Sequence, residues 1–355
     1  SSDLQSSSEK PDFINLIKDS IDIENYFNYQ IFETYITNID SRGNVRFFKP
    51  NGGRWKWVVY DADQACTYAE TNFIKMRSLP DKRLWYNPTY TTTILEHLLK
   101  NDTLRNRFIT QYCYLNATYL NADYFSQSLD ERASKIKDEL PRHFNRRKNL
   151  YGEDMESWTK KFNELKKYFL DRDSNLLDDL RLTFNCDSAF HLSVKQNYSN
   201  FNAVTINQSS VFSNRINGYF FSHIPFELNV VNNNHLYKFN RWSDGVKELN
   251  RKIDLSTNLD LEAVFSHLPS SIRKDSISIR RCYLNYSKKQ NLCFIELFNN
   301  NDNPVSLKGI RLYEDVNHID LDLSEYKIDG KSSIDRKSTR LNSSHEWISR
   351  MPSSA

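Results

Sequence analysis

Two short groups of oxygen-bearing side chains have the types and spacing to support chemistry. Asp40 and Asn44 follow an apolar periodic segment, and Asp61 and Asp63 follow a β-prone run. Phosphoryl transfer needs one carboxylate to orient or deprotonate the attacking hydroxyl, and a second carboxylate with an amide oxygen to hold Mg²⁺. In protein kinases these groups are an Asp, an Asn about five residues later and an Asp after a short hairpin. Asp40, Asn44 and Asp61 occur in that order, although Asn44 follows Asp40 by four positions.

Spacing alone leaves two other interpretations of these residues open. Asp and Asn are common in turns because their side chains bond to nearby backbone groups, so both groups could be ordinary caps and turns. Alternatively, Asp61 and Asp63 could bind Ca²⁺, although Asp61-Ala62-Asp63 lacks the glycine and the downstream glutamate of an EF-hand loop.

Periodicity predicts the elements that must position these residues. Ile23, Phe27, Ile31 and Tyr35 recur at every fourth position, which predicts a helix, and Asp22 is its expected N-cap. Two β-prone runs follow at 45–49 and 55–60, and Pro50-Asn51-Gly52-Gly53 between them predicts a hairpin.

The rest of the chain changes from helical to β-type patterning. Apolar stripes predict amphipathic helices within 104–119, 129–140 and 158–180, with Pro141 kinking or ending the second. After Asn185, short β-prone runs separated by Asn- and Ser-rich turns are typical of a sandwich or barrel, and a third unit begins near Ile277. The sequence therefore predicts an α+β multidomain protein with boundaries at Asn185 and about Ser270.

Composition excludes several classes of protein. A hydrophobic content of 39% is ordinary for a soluble globular protein, and 355 residues allow two or three domains. No run of apolar residues is long enough to span a membrane. The net charge of +3 is too small to indicate a nucleic-acid partner, and the five cysteines have no metal-ligand spacing.

Residues 21–185 resemble the C-terminal part of the kinase domain of the CotH (spore-coat protein H) family. The stretch 21–40 is similar to the family's helix leading into an Asn-x-Asp element, and 43–48 resembles the strand that follows it. The stretch 55–63 is similar to the family's W-x-(W/F)-x-x-x-D-x-D strand. Similarity continues, in the same order, in the helical section at Phe108–Tyr112, Leu129–Glu131 and Phe169–Arg172.

The resemblance implies a fold, an activity and roles for four residues. The fold would be the mainly helical C-terminal part of an atypical protein-kinase-like domain. The activity would be transfer of phosphate from ATP, with Mg²⁺ or Mn²⁺, to Ser or Thr of a protein substrate. Asp40 would be the catalytic carboxylate and Asp61 the metal ligand, with Asn44 and Asp63 assisting. A single Asn44 stands where many members have two asparagines.

A larger departure from the family concerns its N-terminal lobe, which clasps the nucleotide. That lobe would precede Ile21, so we expect this chain to be a fragment that is inactive in isolation.

The C-terminal units carry resemblances of their own. Residues 186–270 resemble the small β-domain that often follows CotH domains, with Gly218-Tyr219-Phe220 as part of its motif. Residues 271–334, through Phe294–Asn300 and Val305–Leu312, resemble the start of a lamin-tail-type β-sandwich cut off at Ile334. Bacterial lamin-tail domains usually accompany secreted or surface proteins. We therefore expect an extracellular or cell-surface location, associated with the surface or envelope.

Both ends of the chain are expected to lie outside the folded domains. Residues 1–20 are a polar leader or a cut start, and Ser1–Lys10 is Ser-rich without the layout of a secretory signal. Residues 335–355 look like a translation of a common sequencing adapter, so we exclude them from fold reasoning and expect the natural protein to continue past Ile334.

Two non-enzymatic functions compete with the kinase interpretation. Some CotH relatives act as host-cell binding proteins, so the chain could be a non-catalytic surface adhesion protein. It could also be a structural protein of a coat or envelope. Asp40, Asn44 and Asp61 favour the kinase, because a binding module has no need of them.

Overall fold

A computed structural model describes residues 17, 19–41, 43–78, 89–151, 154–231, 237–267, 276–286, 291–307, 311–314, 319–323, 326–339 and 348–350. The chain divides into two compact units, one comprising Ser1–Val231 and Asn240–Val264 and the other comprising Asn232–Phe239 and Phe265–Ala355. Most of the polar start at 1–20, as well as residues 308–310 and 340–347, lies outside the described residues.

The described part of the first unit contains the helices. They are α1 Ile23–Tyr35, α2 Phe73–Ser78, α3 Thr89–Leu99, α4 Asp102–Asn116, α5 Ala122–Ile136, α6 Leu140–Tyr151 and α7 Met155–Phe184. Among the described residues, none of the helices is long and apolar enough to cross a membrane.

Helix α1 forms the centre of the helical core. Its N-cap is Asp22, as predicted, because the Asp22 side chain accepts a hydrogen bond from the Asn25 backbone N–H at 3.0 Å. Phe27 and Ile31 are fully buried, and Phe27 packs edge-on against Phe108 of α4 with ring centroids 5.2 Å apart. The predicted helix is thus confirmed and is covered on most of its sides.

The prediction around Pro141 differs from the structure. The apolar stripe at 129–140 belongs to two helices, because α5 ends at Ile136 and α6 begins at Leu140. Pro141 therefore lies in the first turn of α6, where a missing backbone N–H costs no helical hydrogen bond.

The predicted hairpin packs beside α1. Strand β1 (Arg46–Phe48) pairs antiparallel with β2 (Lys56–Val58), with Phe47 opposite Trp57. Gly52 adopts a φ of 70°, the left-handed conformation that glycine tolerates best. Trp57 packs edge-on against Tyr26 of α1 at a centroid distance of 4.6 Å, so the hairpin is fixed to the helix by an aromatic contact.

The β-part of the chain begins where the sequence predicts. Asn185 caps α7 in the left-handed conformation, at a φ of 54°. The following strands are β3 Ala189–Gln196, β4 Val204–Ile206, β5 Arg215–Phe221, β6 Phe226–Val230, β7 Tyr237–Trp242, β8 Asn250–Ile253 and β9 Leu259–His267. They form a four-stranded sheet in the order β5-β3-β9-β7, in which β3 and β9 are parallel, and a three-stranded sheet in the order β4-β6-β8.

The described part of the second unit contains two long strands, β10 Ile277–Tyr286 and β11 Asn291–Asn299, and the shorter strands β12 Val305–Ser306, β13 Arg311–Glu314, β14 Ile319–Asp322, β15 Lys327–Ile328, β16 Ser333–Thr339 and β17 Ile348–Arg350. Its core contains Leu297, Leu307, Leu323 and Ile328. Residues 335–339, expected to lie outside the folded domains, instead belong to β16 and pair with β11. The adapter origin of this segment stays a prediction.

Helices and several small sheets together confirm the predicted α+β class.

Candidate functional site

Asp40 and Asn44 lie together just beyond the C-terminal end of α1. The Asn44 side-chain N–H donates a hydrogen bond to Asp40 Oδ2 at 3.0 Å. The Asp40 backbone N–H donates to Asn38 Oδ1 at 3.1 Å, and both Asp40 and Asn44 are half-buried. One Asp40 oxygen is thus oriented by an amide while the residue stays accessible to solvent.

The segment before Asp40 is held rigidly. Thr37 adopts a positive φ of 47°, which turns the chain sharply after the helix. Its hydroxyl is hydrogen-bonded to the Tyr168 hydroxyl of α7 at 3.0 Å. Asn38 is fully buried, and its backbone N–H donates to Glu33 O at 3.1 Å. The position of Asp40 is therefore determined by packing against two helices.

A buried arginine supports the same segment from α2. Arg77 is only 2% exposed, and its Nη1 donates to Ser41 Oγ, the residue after Asp40, at 2.5 Å. Its Nε and Nη2 both donate to Gln30 Oε1 of α1, at 3.0 and 2.8 Å. Sequence reasoning missed Arg77, since no local pattern marks an arginine as buried.

Buried polar groups also surround Glu33 of α1. Burial raises the pKa of the Glu33 carboxyl above its ordinary value, while the Arg77 charge and the Asn38 amide oppose this shift. Burial and the Glu33 charge raise the pKa of Tyr29 to about 12, although Arg77 opposes the shift. Within the described part of the chain, Glu33 Oε2, the Tyr29 hydroxyl and Asn38 Nδ2 have no hydrogen-bond partner. The segment that leads to Asp40 therefore includes a buried amide whose N–H groups are not satisfied by these residues.

Asp61 and Asp63 follow β2 in a loop tied to α1 at both ends. Asn25 of α1 accepts from the Trp57 backbone N–H at 2.6 Å and donates to Trp57 O at 3.2 Å. Farther along, the Cys66 backbone N–H donates to Ile36 O at 2.7 Å. The loop between these anchors runs toward the end of α1 that carries Asp40, and both aspartates in it are exposed. Asp61 has a φ of 55°, an uncommon conformation for a residue with a Cβ.

Asp61, Asp63 and Asn44 carry the types of oxygen donor that a hard cation prefers. Asn44 uses its amide N–H on Asp40, so its amide oxygen is the atom of this side chain that could act as a ligand. Within the described ranges, no hydrogen bond or ion pair joins Asp61 or Asp63 to Asp40 or Asn44. Nor do the described residues contain a group of three or more His, Cys, Asp or Glu side chains that could hold a metal. The metal-binding roles of Asp61, Asn44 and Asp63 stay a prediction.

Helix α7 braces this arrangement through Arg172. This side chain is fully buried, and its Nη1 donates to Asp179 Oδ2 at 2.6 Å. Its Nη2 donates to Thr34 O near the end of α1 at 3.5 Å. The neighbouring Tyr168 hydroxyl donates to Tyr35 O at 2.7 Å. Two groups on α7 thus bind the carbonyls that end α1, immediately before the turn to Asp40.

Comparison with known proteins identifies one family. A family model described as CotH kinase protein matches residues 3–176. A search of curated proteins and a search of solved structures each gave no match. The matched region contains Asp40, Asn44, Asp61 and Asp63, and it ends within α7, before the β-strands that follow. Residues 3–176, which carry the candidate site, therefore match the CotH kinase family.

Proposed function

We propose that the chain carries the catalytic residues of a CotH-like atypical protein kinase, which transfers phosphate from ATP to Ser or Thr of a protein substrate. The observation that carries the proposal is the Asp40–Asn44 hydrogen bond within the segment that matches the CotH model. In phosphoryl transfer, positioning and electrostatic stabilisation supply most of the catalysis. A site oriented by an amide and supported by buried arginines meets the positioning requirement.

Each residue has a distinct part in this proposal. Asp40 accepts the proton of the attacking hydroxyl, or orients it, through the oxygen that Asn44 does not occupy. Asp61, Asn44 Oδ1 and Asp63 would hold Mg²⁺ or Mn²⁺, which neutralises charge on the phosphates when bound. The exposure of Asp61 and Asp63 leaves their carboxylates accessible to a hydrated metal bound to ATP.

The test is to express the open reading frame that contains these residues and to measure metal-dependent phosphate transfer by the resulting protein. Asp40→Ala and Asp61→Ala should each abolish transfer from ATP to protein while the circular dichroism spectrum is unchanged. Asp102→Ala is the matched control, because Asp102 pairs with Arg105 at the start of α4, away from the site. Survival of activity in either site variant would refute the assignment.

Two further parts of the proposal concern the setting of the protein. We infer that residues 271–334 are a lamin-tail-like module and that the kinase acts on secreted or surface proteins. The support is the Phe294–Asn300 and Val305–Leu312 pattern, together with a small core around Leu297 and Leu307. Recovery of the protein from the culture medium or cell surface of its source would test the location. Recovery from the cytosol alone would contradict it.

A further inference from the structure

A cavity opens at the N-terminal end of α1, away from Asp40. Its volume is about 440 Å³, and its lining residues are Ile21, Asp22, Ile23, Glu24, Arg54 and Arg107. A cavity of this size lies within the range of small-ligand sites in proteins. Asp40 follows the opposite end of this 13-residue helix, so about 20 Å of helix axis separates the cavity from the candidate catalytic residue.

Two arginines supply the chemistry of this cavity. Arg54 comes from the hairpin and is exposed, whereas Arg107 comes from α4 and is half-buried. Neither guanidinium has a hydrogen-bond acceptor or an ion-pair partner among the residues that the structure describes. Each guanidinium carries five N–H donors in a planar fork that matches the oxygens of a phosphate or carboxylate.

The two carboxylates in the lining are already engaged by other groups. Asp22 Oδ1 accepts the Asn25 backbone N–H at 3.0 Å, and its Oδ2 forms an ion pair with Lys56 at 3.3 Å. Glu24 Oε1 accepts from Ser209 Oγ at 2.8 Å, and from the backbone N–H and the hydroxyl of Ser210 at 2.7 and 3.0 Å. These contacts satisfy much of the acceptor capacity of the two carboxylates, whereas no described residue pairs with the charges of Arg54 and Arg107.

The segment that supplies Arg54 carries a net positive charge. The hairpin stretch 43–60 contains Arg46, Lys49, Arg54 and Lys56 and no acidic residue. The N-terminal end of α1 adds the positive end of a helix dipole. Both contributions favour an anion over a cation or a neutral ligand.

We propose that this cavity binds a phosphate group, either free or as a phosphate monoester. Phosphate is favoured over a carboxylate because two guanidinium forks offer more donors than one carboxylate can accept, and a dianion gains more from both charges. The volume exceeds that of the phosphate group itself, which leaves room for the atoms that carry an ester. This site is independent of the proposed kinase chemistry at Asp40.

The experiment is a calorimetric titration of the full chain with inorganic phosphate and, separately, with phosphoserine. Both arms should show saturable binding, and the tighter ligand identifies the free or the esterified source. Arg54→Gln and Arg107→Gln should each weaken binding about tenfold or more, since each removes charge-assisted hydrogen bonds. Circular dichroism should show that both variants stay folded, because neither guanidinium has a hydrogen-bond or ion-pair partner among the described residues.

Arg105→Gln provides the matched control on the same helix. Arg105 pairs with Asp102 at 2.8 Å and does not line the cavity, so its replacement should leave the affinity unchanged. The proposal is overturned if neither ligand binds saturably, if the double variant of Arg54 and Arg107 binds as tightly as the unmodified chain, or if the control weakens binding equally.

Discussion

Asn44 donates its side-chain N–H to Asp40 Oδ2 at 3.0 Å, so one amide can both orient the candidate base and present its oxygen to a metal. The two functions make different demands on the residue at position 44. An aspartate at this position keeps an oxygen ligand for a cation but loses the N–H donor. An alanine loses both groups.

Replacement of Asn44 therefore separates orientation from metal binding. Asn44→Ala and Asn44→Asp should both lower kcat for phosphate transfer about 100-fold, because Asp40 loses the donor that positions it. The measurement is steady-state kinetics on the expressed open reading frame, with Asn51→Ala in the exposed hairpin loop as the control. Wild-type kcat in Asn44→Asp, with loss only in Asn44→Ala, would show that metal binding alone matters.

Arg172 should be among the most sensitive positions for stability in the helical part. Arg172→Met leaves Asp179 buried without its partner, so we expect a loss of about 3–5 kcal/mol in unfolding free energy. Arg181→Met is the matched control, because Arg181 and Asp178 form an exposed pair on the same helix and should contribute less than about 1 kcal/mol. Urea denaturation followed by helical circular dichroism measures both. Equal losses in the two variants would contradict the brace assigned to Arg172.

Local signals in the sequence predicted the elements around the site well. Asp22 as N-cap and Asn51-Gly52 in the hairpin turn are signals read over a few residues, and both agree with the structure. The close approach of Asp40 and Asn44 was predictable as well, since they are only four positions apart. The position of Pro141 relative to the helices was predicted wrongly, because proline can follow the end of one helix and also suits the first turn of the next.

The contacts that support the site join segments that are distant in sequence, so local sequence signals did not predict them. Arg77 and Ser41 are 36 positions apart, and their contact requires α2 to fold back against the end of α1. An arginine is usually a surface residue, so nothing local distinguished Arg77 from its exposed counterparts. Arg172 likewise donates to backbone carbonyls of Thr34 and Ala69, which are distant in sequence, although its ion-pair partner Asp179 lies on the same helix.

Glu33 should make the stability of the chain depend on pH. Burial raises its pKa in the folded state above the ordinary value of 4.5. At a pH between the pKa of Glu33 in the unfolded chain and its raised pKa in the folded protein, the folded protein holds a proton that the unfolded chain has released. The unfolding free energy therefore falls as the pH rises through this window. Glu33→Gln should remove this part of the fall and stabilise the protein at neutral pH relative to wild type.

Asp173 and Asp179 also have raised pKa values through burial, so they contribute to the pH dependence of wild type as well. The difference in unfolding free energy between wild type and Glu33→Gln isolates the contribution of Glu33. Urea denaturation at a series of pH values from acid to neutral provides the measurement. Glu131→Gln is a control of opposite sign, since the hydrogen bond from Lys135 lowers the pKa of exposed Glu131. The contribution of this hydrogen bond to the unfolding free energy is lost as the pH falls. A wild-type slope that is unchanged in Glu33→Gln would refute the prediction.

Gly218 should be intolerant of any side chain because of its contact with the end of α4. A Cβ atom at this position would lie 2.6 Å from Ala117 Cβ and 3.0 Å from Ala117 Cα, and backbone at that distance cannot move aside cheaply. The adjacent Asn217 backbone N–H donates to Ala117 O at 2.9 Å, so strand β5 is fixed to the residue that ends the helix.

Gly218→Ala is therefore expected to cost about 1–3 kcal/mol in unfolding free energy. Gly43→Ala is the matched control, because a Cβ atom there meets nothing within 4 Å and should change stability little. The double variant Ala117→Gly with Gly218→Ala removes the clashing methyl group and should recover part of the loss. Urea denaturation of all three variants decides the matter. A Gly218→Ala protein as stable as Gly43→Ala would show that β5 is not held against Ala117.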